Sequence, residues 1–307
     1  MEPFSVCAGV VAHNPKVGAL HDLVGNLLAC SRWVVIVDNA SSDTEYLEVL
    51  ARQQPGVTIV QNAQNRGVSG GVNQVIDHAR EMKAEFVVAF DQDTKISPEL
   101  INVLAGDLQM RRASGESVAA IGPLVVDDYT DHKLPFIRFR LPWNTRYRGE
   151  TLATSERLVA CDFLITSGCL MPMQTIDDVG AMNEALFIDN VDLEWCFRAM
   201  HKGYKIYGDF GAAIRQQIGE NHTKIPFTQA VIRYHDYQRN YYMTRNRLWL
   251  YRQRYTIKAW VVHDVLRFIL KFCYLLAFRG NRVDLVKSTL RGLIDSFAMK
   301  PYNSGGL

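Results

Sequence analysis

Short, almost unbroken apolar runs alternate with helix-periodic segments through the first 125 residues of this 307-residue chain. The runs span Val6 to Ala12, Trp33 to Val37, Val57 to Val60, Phe86 to Phe90 and Val118 to Val125. Runs so short and so apolar suit strands buried on both faces. Between them, apolar residues at three- and four-residue spacing predict helices over Val17 to Cys30, Asp43 to Gln53, Ser69 to Met82 and Ser97 to Arg112. The alternation predicts βαβ units, and hence an α/β fold with a mainly parallel central sheet covered by helices on both faces. In such folds ligands bind at the carboxyl ends of the strands. The polar signals fall there: His13-Asn14, Asp38-Asn39, Asn62 to Asn65 and Asp91-Gln92-Asp93 follow the first four runs.

Beyond residue 126 the pattern loosens. Asp127 to Glu156 mixes aromatics, prolines and arginines without a period and reads as a long loop or hairpin insertion. Val159 to Ile165 resumes a strand, and Thr166-Ser167-Gly168-Cys169 forms a turn in which a small residue lets backbone approach a ligand. A short helix over Asp192 to Lys202 ends at Gly203, which suits a C-cap. Trp260 to Phe278 is a broad apolar helix with Asp264, Arg267 and Lys271 forming a narrow polar stripe. Three charges near its middle argue against a membrane span.

Composition narrows the class. At 48% hydrophobic residues the chain has apolar content for one large domain, or one domain with an appended module. Its six cysteines (Cys7, Cys30, Cys161, Cys169, Cys196, Cys273) include no Cys-x-x-Cys pair and lie mostly in apolar segments. That pattern predicts buried free thiols in a reducing compartment, the cytosol. The N-terminus has Glu2 where a basic n-region would stand, and is expected to enter the first strand rather than form a signal peptide. Charge divides the chain. Residues 238–307 carry 13 Lys/Arg against 3 Asp/Glu, net +10, while 21 Lys/Arg and 29 Asp/Glu leave residues 1–237 at net −8. We therefore expect a catalytic or binding unit over 1–237 and a basic helical extension over 238–307.

Asp91 and Asp93, one residue apart at the end of a buried strand, form a hard-oxygen pair suited to Mg²⁺ or Mn²⁺ carrying a phosphate; isolated pairs of this kind also serve as turn carboxylates and helix caps. Asn65-Arg66-Gly67-Val68-Ser69-Gly70-Gly71-Val72-Asn73 resembles a phosphate loop opening a helix. It lacks the Gly-Lys-Ser/Thr of a P-loop and the position of a dinucleotide fingerprint. Ser42 and Asp43 suit helix capping, whereas Asp38, at a strand end, can accept an N–H from a pyrimidine base. In Phe187-Ile188-Asp189-Asn190-Val191-Asp192-Leu193-Glu194-Trp195-Cys196-Phe197-Arg198, Asp192 and Glu194 lie about 200° apart on the helix, so one faces a cleft when the other does not. The plainer alternative is that all three acids complement the helix N-terminus.

Taken in order, Val-Val-Ala-His-Asn, Val-Asp-Asn-Ala-Ser, Asn-x-Gly-x-x-x-Gly-x-Asn, Asp-Gln-Asp, Ser-Gly-Cys-Leu and Asp-x-x-Asp-x-Glu-Trp-Cys-x-Arg resemble inverting glycosyltransferases of family 2, with the GT-A fold. Tyr241-Tyr242-Met243-Thr244-Arg245-Asn246 extends the resemblance toward bacterial rhamnosyltransferases, over roughly residues 4–254. The resemblance implies that His13 and Asp38 hold the nucleotide and that Asn65 and Gly67 border the donor pocket. It further implies that Asp91 and Asp93 hold Mg²⁺ or Mn²⁺ on the diphosphate, and that Arg245 neutralises the leaving group. Asp192 becomes the general base, with Asp189 and Glu194 as acceptor-binding or supporting groups, and Gly168 with Cys169 near the reacting sugars. The implied partners are a dTDP-sugar donor, foremost dTDP-L-rhamnose, and a glycan or lipid-linked acceptor. Thymine and uracil present the same N3–H, so Asp38 cannot separate dTDP from UDP donors.

One position departs from the family pattern. Where many relatives carry His-x-x-Gly, this chain has Gln216-Gln217-Ile218-Gly219, making Gln216 a weak candidate metal ligand, with His222 or His235 as substitutes. The basic extension suits either the anionic cytosolic face of a bacterial inner membrane or an oligomer contact; nucleic acid is not an expected partner. Two other functions remain compatible with such a fold: a sugar-nucleotide nucleotidyltransferase, though its usual Gly-rich loop with Arg and Lys is missing after the first strand, and a noncatalytic binding protein.

Overall fold

The computed structural model describes residues 4–54, 56–149, 157–217, 221–224, 231–234, 236–278 and 281–302. The chain begins with β1 (Val6–Ala12), α1 (Val17–Cys30), β2 (Trp33–Asp38), α2 (Glu45–Gln53), β3 (Val57–Gln61), α3 (Gly67–Glu81), β4 (Phe86–Asp91), α4 (Leu100–Ala113) and β5 (Val118–Asp127). Each strand and helix expected from the pattern is there. α4 starts three residues late because Ser97 and Pro98 form a turn, with the Leu100 N–H donating to the Ser97 carbonyl at 3.2 Å.

Next come β6 (Phe136–Arg138), β7 (Thr145–Tyr147), β8 (Leu158–Cys161), β9 (Leu170–Pro172), α5 (Met173–Val179), a single 3₁₀ turn (Glu184–Leu186), α6 (Val191–His201) and β10 (Lys205–Gln216). β6 and β7 pair antiparallel, so the expected insertion is a hairpin. β8 stops at Cys161, short of the expected Ile165, where its antiparallel pairing with β10 ends. β11 (Asn221–Lys224) and β12 (Val231–Tyr234) pair antiparallel, and α7 (Tyr237–Tyr251), α8 (Lys258–Phe278) and α9 (Arg282–Ala298) complete the chain.

The main sheet has eight strands in the order β3-β2-β1-β4-β9-β5-β10-β8. β1, β2, β3 and β4 run parallel, as do β5 and β10; short β9 is antiparallel to both β4 and β5 and joins the two halves. Alternate side chains enter two cores. Val6, Ala8 and Val10 of β1, Val34 and Ile36 of β2, and Phe86, Val88 and Phe90 of β4 pack with Leu20, Leu27 and Leu104 on one face. Cys7, Val35, Val37, Val87 and Ala89 pack with Val75, Ile76 and Phe197 on the other. Fully burying one such side chain contributes about 1.5–3 kcal/mol, so both faces of the apolar runs stabilise the fold.

The basic extension is bonded into this body. Trp249, Leu250 and Trp260 belong to the same core as Phe197, and Trp260 lies edge-on to Phe197 at 5.5 Å. α9 lies tightly on α7: a Cβ on Gly292 would stand 2.8 Å from the Tyr241 carbonyl oxygen and 3.0 Å from Thr244 Cβ.

Gly9 sets the distance between β1 and α3, because a Cβ there would overlap the Val75 side chain. Gly9→Ala should therefore destabilise the protein by about 1–3 kcal/mol in denaturant unfolding, through overpacking. Combining it with Val75→Ala should cost less than the sum of the two single substitutions, since the second removes the atoms the first strikes.

Candidate active site

The carboxyl ends of β4 and β10 meet the start of α6 around an open cleft of about 480 Å³. Asp91, Asp93, Ser167, Asp189, Asp192, Gln216 and Arg239 are among its walls. Three local devices assemble them.

The first is the turn after β4. The Thr94 N–H donates to the Asp91 carbonyl at 3.1 Å, and Thr94 Oγ1 lies 2.8 Å from Ser167 Oγ, which also accepts the Asp91 N–H at 3.2 Å. Lys95 and Arg215 exchange backbone hydrogen bonds of 2.7 and 3.0 Å, stapling this turn to the end of β10. That staple carries Gln216 into the cleft, where its Oε1 accepts from Thr94 Oγ1 at 3.4 Å. The family-pattern position therefore sits beside the Asp91-Asp93 pair. His222 is described only as strand backbone and His235 lies outside the described residues.

The second device is the loop before α6. Phe187, Asp189 and Asn190 have φ of 65°, 62° and 62°, left-handed values that non-glycine residues seldom adopt. Asn246, fully buried on α7, holds them: its Nδ2 reaches the carbonyls of Leu186, Ile188 and Asp189 at 2.8, 2.7 and 3.0 Å. Arg245 Nη2 donates to the Ala185 and Leu186 carbonyls at 2.6 and 3.2 Å, and the guanidinium lies over the Tyr242 ring at 4.9 Å. Tyr242 in turn stacks on Phe187 at 5.0 Å. The Tyr-Tyr-x-x-Arg-Asn segment is thus a clamp on the loop. Arg245 does not line the cleft, because its guanidinium is committed to loop carbonyls and aromatic faces.

Arg239 takes that place instead. It contacts both Asp189 carboxylate oxygens, at 3.1 and 3.2 Å, and its charge pulls against the upward shift of Asp91. The only sequence signal for it was its location at the start of the basic, aromatic α7 segment. Asp189 is accordingly the arginine's anchor on the cleft wall.

The third device lies at the ends of β1 to β3. Buried Asn39 donates to the Gly67 carbonyl at 2.8 Å and accepts from the Arg66 N–H at 2.9 Å, tying the second-strand turn to the start of α3. Asn65 Oδ1 accepts the Gly67 N–H at 2.8 Å. Gly67 has φ +72°, and a Cβ there would collide with the Phe187 backbone, so glycine permits the α6 loop to close on α3. Exposed His13 joins the same edge: its N–H donates to Gln92 Oε1 at 2.7 Å and its Nδ1 lies 3.0 Å from the Asn39 carbonyl. Asn39, named in the sequence only as a polar neighbour of Asp38, does this tying.

Asp38 turns away from the strand edge. It is 1% exposed, and its oxygens accept the Ser41 N–H at 3.2 Å, the Ser41 hydroxyl at 2.5 Å and the Tyr46 hydroxyl at 3.0 Å. Its oxygens are engaged by the loop and helix that follow β2. Glu194 lies on the far side of α6 from Asp192, as their angular separation requires. Completely buried, it pairs with Arg198 at 2.7 Å and accepts the Tyr255 hydroxyl at 2.6 Å, outside the cleft. Gly168 and Cys169 sit behind the wall: Gly168 donates to the Ala89 carbonyl at 2.9 Å, while Thr166 and Ser167 face the cavity.

The electrostatics follow from four carboxylates in one recess. Burial first, then the Asp93 charge, raises Asp91 to about 6, with Arg239 opposing. Burial, then the charges of Asp189 and Asp91, lift Asp192 to about 7 despite the Leu193 N–H donated to its Oδ1 at 2.8 Å. Among the described residues no three His, Cys, Asp or Glu side chains form a metal cage. A hard cation here would take two carboxylates and an amide oxygen, leaving positions for water and phosphate, which suits Mg²⁺ or Mn²⁺.

Residues 19–163 match the family described as Glycosyl transferase family 2. Over 291 residues, 95% of this chain and 95% of the relative, the sequence is 25% identical to the dTDP-rhamnosyl transferase RfbF of Shigella flexneri. Among solved structures, S. aureus TarS 1–349 in complex with UDP-GlcNAc superposes with a TM-score of 0.56 at 14% identity, covering 97% of this chain and 82% of that one. GalNAc-T7 with UDP, GalNAc and Mn²⁺ gives 0.57 at 12% identity, covering 71% of this chain and 44% of that one. The sheet order and these likenesses identify the GT-A fold, as the motif order led us to expect.

Asn246→Ala should release the loop before α6. Removing the Nδ2 donor from the Ile188 and Asp189 carbonyls should cost about 1–3 kcal/mol in denaturant unfolding, while the Leu186 carbonyl keeps Arg245. Hydrogen exchange should speed up at residues 187–192 while the β1–β4 core stays protected.

Proposed function

We propose, for a chain whose residues 19–163 match the family described as Glycosyl transferase family 2, an inverting transfer of a sugar from a nucleotide donor to an acceptor hydroxyl. The observation that carries this reading is the meeting of Asp91, Asp93, Gln216, Arg239 and Asp192 in one cleft. The donor we assign is dTDP-L-rhamnose, supported by the likeness to RfbF along nearly the whole chain. The acceptor is a hydroxyl of a bacterial surface glycan, free or lipid-linked.

Asp192 acts as the general base. It sits at the mouth of α6 with a pKa lifted to about 7, so near neutrality it takes a proton readily and is still substantially ionised. As it draws the proton from the acceptor hydroxyl, that oxygen bonds to the anomeric carbon. The bond from that carbon to the diphosphate oxygen breaks, its electron pair leaves with the nucleoside diphosphate, and the configuration inverts. Asp91 and Asp93, with Gln216 beside them, would hold Mg²⁺ or Mn²⁺, whose charge offsets that developing on the diphosphate. Arg239, fixed by Asp189, adds a second positive charge on the same wall. Ser167 and Thr94 hold the Asp91 turn still, and the Asn39–Gly67 tie keeps the α3 end of the donor edge closed.

Asp192→Asn should lower kcat by about 10²–10⁴-fold, the usual contribution of a general base, while leaving donor affinity within a few-fold in calorimetry. In the wild type, turnover should rise with pH and level off once Asp192 is ionised, because protonation removes the base; the asparagine variant should lose that limb. Unchanged turnover in the variant would reject the assignment of the base.

A panel of nucleotide sugars tests the donor. dTDP-L-rhamnose should bind with Mn²⁺ or Mg²⁺, weaken on chelation, and release dTDP when acceptor is present. Tighter metal-dependent binding of a UDP-sugar would reassign the donor. Failure of every nucleotide sugar to bind or turn over would overturn the transferase reading.

A further inference from the structure

α8 is built inside out. Its inward row runs Trp260, Asp264, Phe268 and Leu275, at helical spacing. Asp264, part of the polar stripe, forms an ion pair with Arg247 at 2.7 Å and accepts from the Tyr251 hydroxyl at 2.8 Å, and the Arg247 guanidinium covers the Phe268 ring at 4.8 Å. With its acid turned into the protein, the helix presents an apolar row to solvent. Val262, Leu266, Ile269, Leu270 and Phe278 are 54%, 59%, 52%, 60% and 66% exposed. α9 repeats the arrangement at spacings of seven, four and three: Val283, Leu290, Ile294 and Phe297 are 63%, 52%, 67% and 69% exposed. Isolated exposed apolar residues are ordinary, but ten on two consecutive helices, counting Leu293, mark a contact surface.

We propose that the outward faces of α8 and α9 dock on an anionic lipid bilayer, lying in its headgroup layer. Charge selects this occupant. Lys258 and Arg267 on α8, and Arg282 and Lys287 on α9, are exposed beside the apolar rows, while Asp284 is the one fully exposed acid on the described parts of these helices. A contact between two copies would bring together two surfaces of the same positive sign, whereas anionic headgroups neutralise it. The helices lie on the membrane, since among the described residues no helix is long and apolar enough to cross one. This surface is independent of the chemistry assigned to the cleft.

Cys273 provides a built-in probe: it is exposed on α8, whereas the other five cysteines are buried. The full chain, labelled there with a polarity-sensitive fluorophore, should blue-shift and co-sediment with phosphatidylcholine vesicles containing about one third phosphatidylglycerol, less so as salt rises. Vesicles of phosphatidylcholine alone should give neither effect. Leu266→Glu with Leu270→Glu, and separately Lys258→Glu with Arg267→Glu, should each weaken binding by about tenfold or more, with unchanged melting temperatures. The charge pair carries the test if the apolar pair melts early. No vesicle binding, equal binding to neutral vesicles, or wild-type binding by the charge-reversed variant would overturn the proposal. Sedimentation velocity showing a dimer that shields Cys273 without lipid would overturn it in favour of a second copy.

Discussion

The cleft depends on the Asn246 side chain holding a backbone that would otherwise relax. Three residues with positive φ within four positions are costly, and each such conformation stores on the order of 1–3 kcal/mol unless its surroundings enforce it. A buried amide spread over three carbonyls, with Arg245 on two neighbouring carbonyls, supplies that enforcement. The consequence reaches the chemistry directly. The strained loop ends at Asn190, the residue before α6, and so fixes where the first turn of that helix presents Asp192. It also brings the Phe187 carbonyl onto the Ser69 N–H at 3.3 Å, joining the α6 loop to α3 across the sheet edge.

Once the loop is set, the cleft gathers more negative charge than it can hold comfortably. Asp91, Asp93, Asp189 and Asp192 converge, and only Asp189 has an arginine paired to both oxygens. Burial first, and this crowding of charge second, raises the pKa of Asp91 and Asp192. A recess of this kind favours whatever brings positive charge to it, and a cation accompanied by a diphosphate does so while leaving Asp192 free to accept a proton. Glu194, two residues on, has no part in it, because the helix turns it toward Arg198, Tyr255 and the Tyr302 ring that covers Arg198 at 3.9 Å.

The C-terminal helices serve the body and the surroundings with opposite faces. Inward, α7 clamps the active loop, α9 supports α7 through Gly292 and the Tyr241–Asp295 hydrogen bond of 2.7 Å, and Trp260 of α8 enters the core. Outward, α8 and α9 carry the apolar rows. The charge contrast in the sequence marked this part as different, but not which way its stripe faces: Asp264 found Arg247 and Tyr251 inside the protein, and the apolar residues were left outside.

The alternation of apolar runs and helical periods was sufficient to place the first five strands and four helices, because strands buried on both faces need continuous apolarity and their crossover helices need a 3.6-residue period. The order of short motifs was likewise sufficient to single out Asp91, Asp93 and Asp192, which the fold brings to one cleft. That the candidate Gln216 reaches the cleft, and the parts played by Arg239, Asn246 and the inward turn of Asp38, were decided only by the tertiary structure. β10 carries Gln216 into place through a backbone staple to Lys95, and α7 returns from the far end of the chain to set Arg239 and Asn246 against the α6 loop. Asp38 is withdrawn by the Ser41 and Tyr46 hydroxyls. Local sequence fixes which elements form because periodicity and propensity act over a few residues. Which carboxylate faces the cleft and which is consumed by a neighbour depends on partners tens to hundreds of residues away, and only packing brings those into reach.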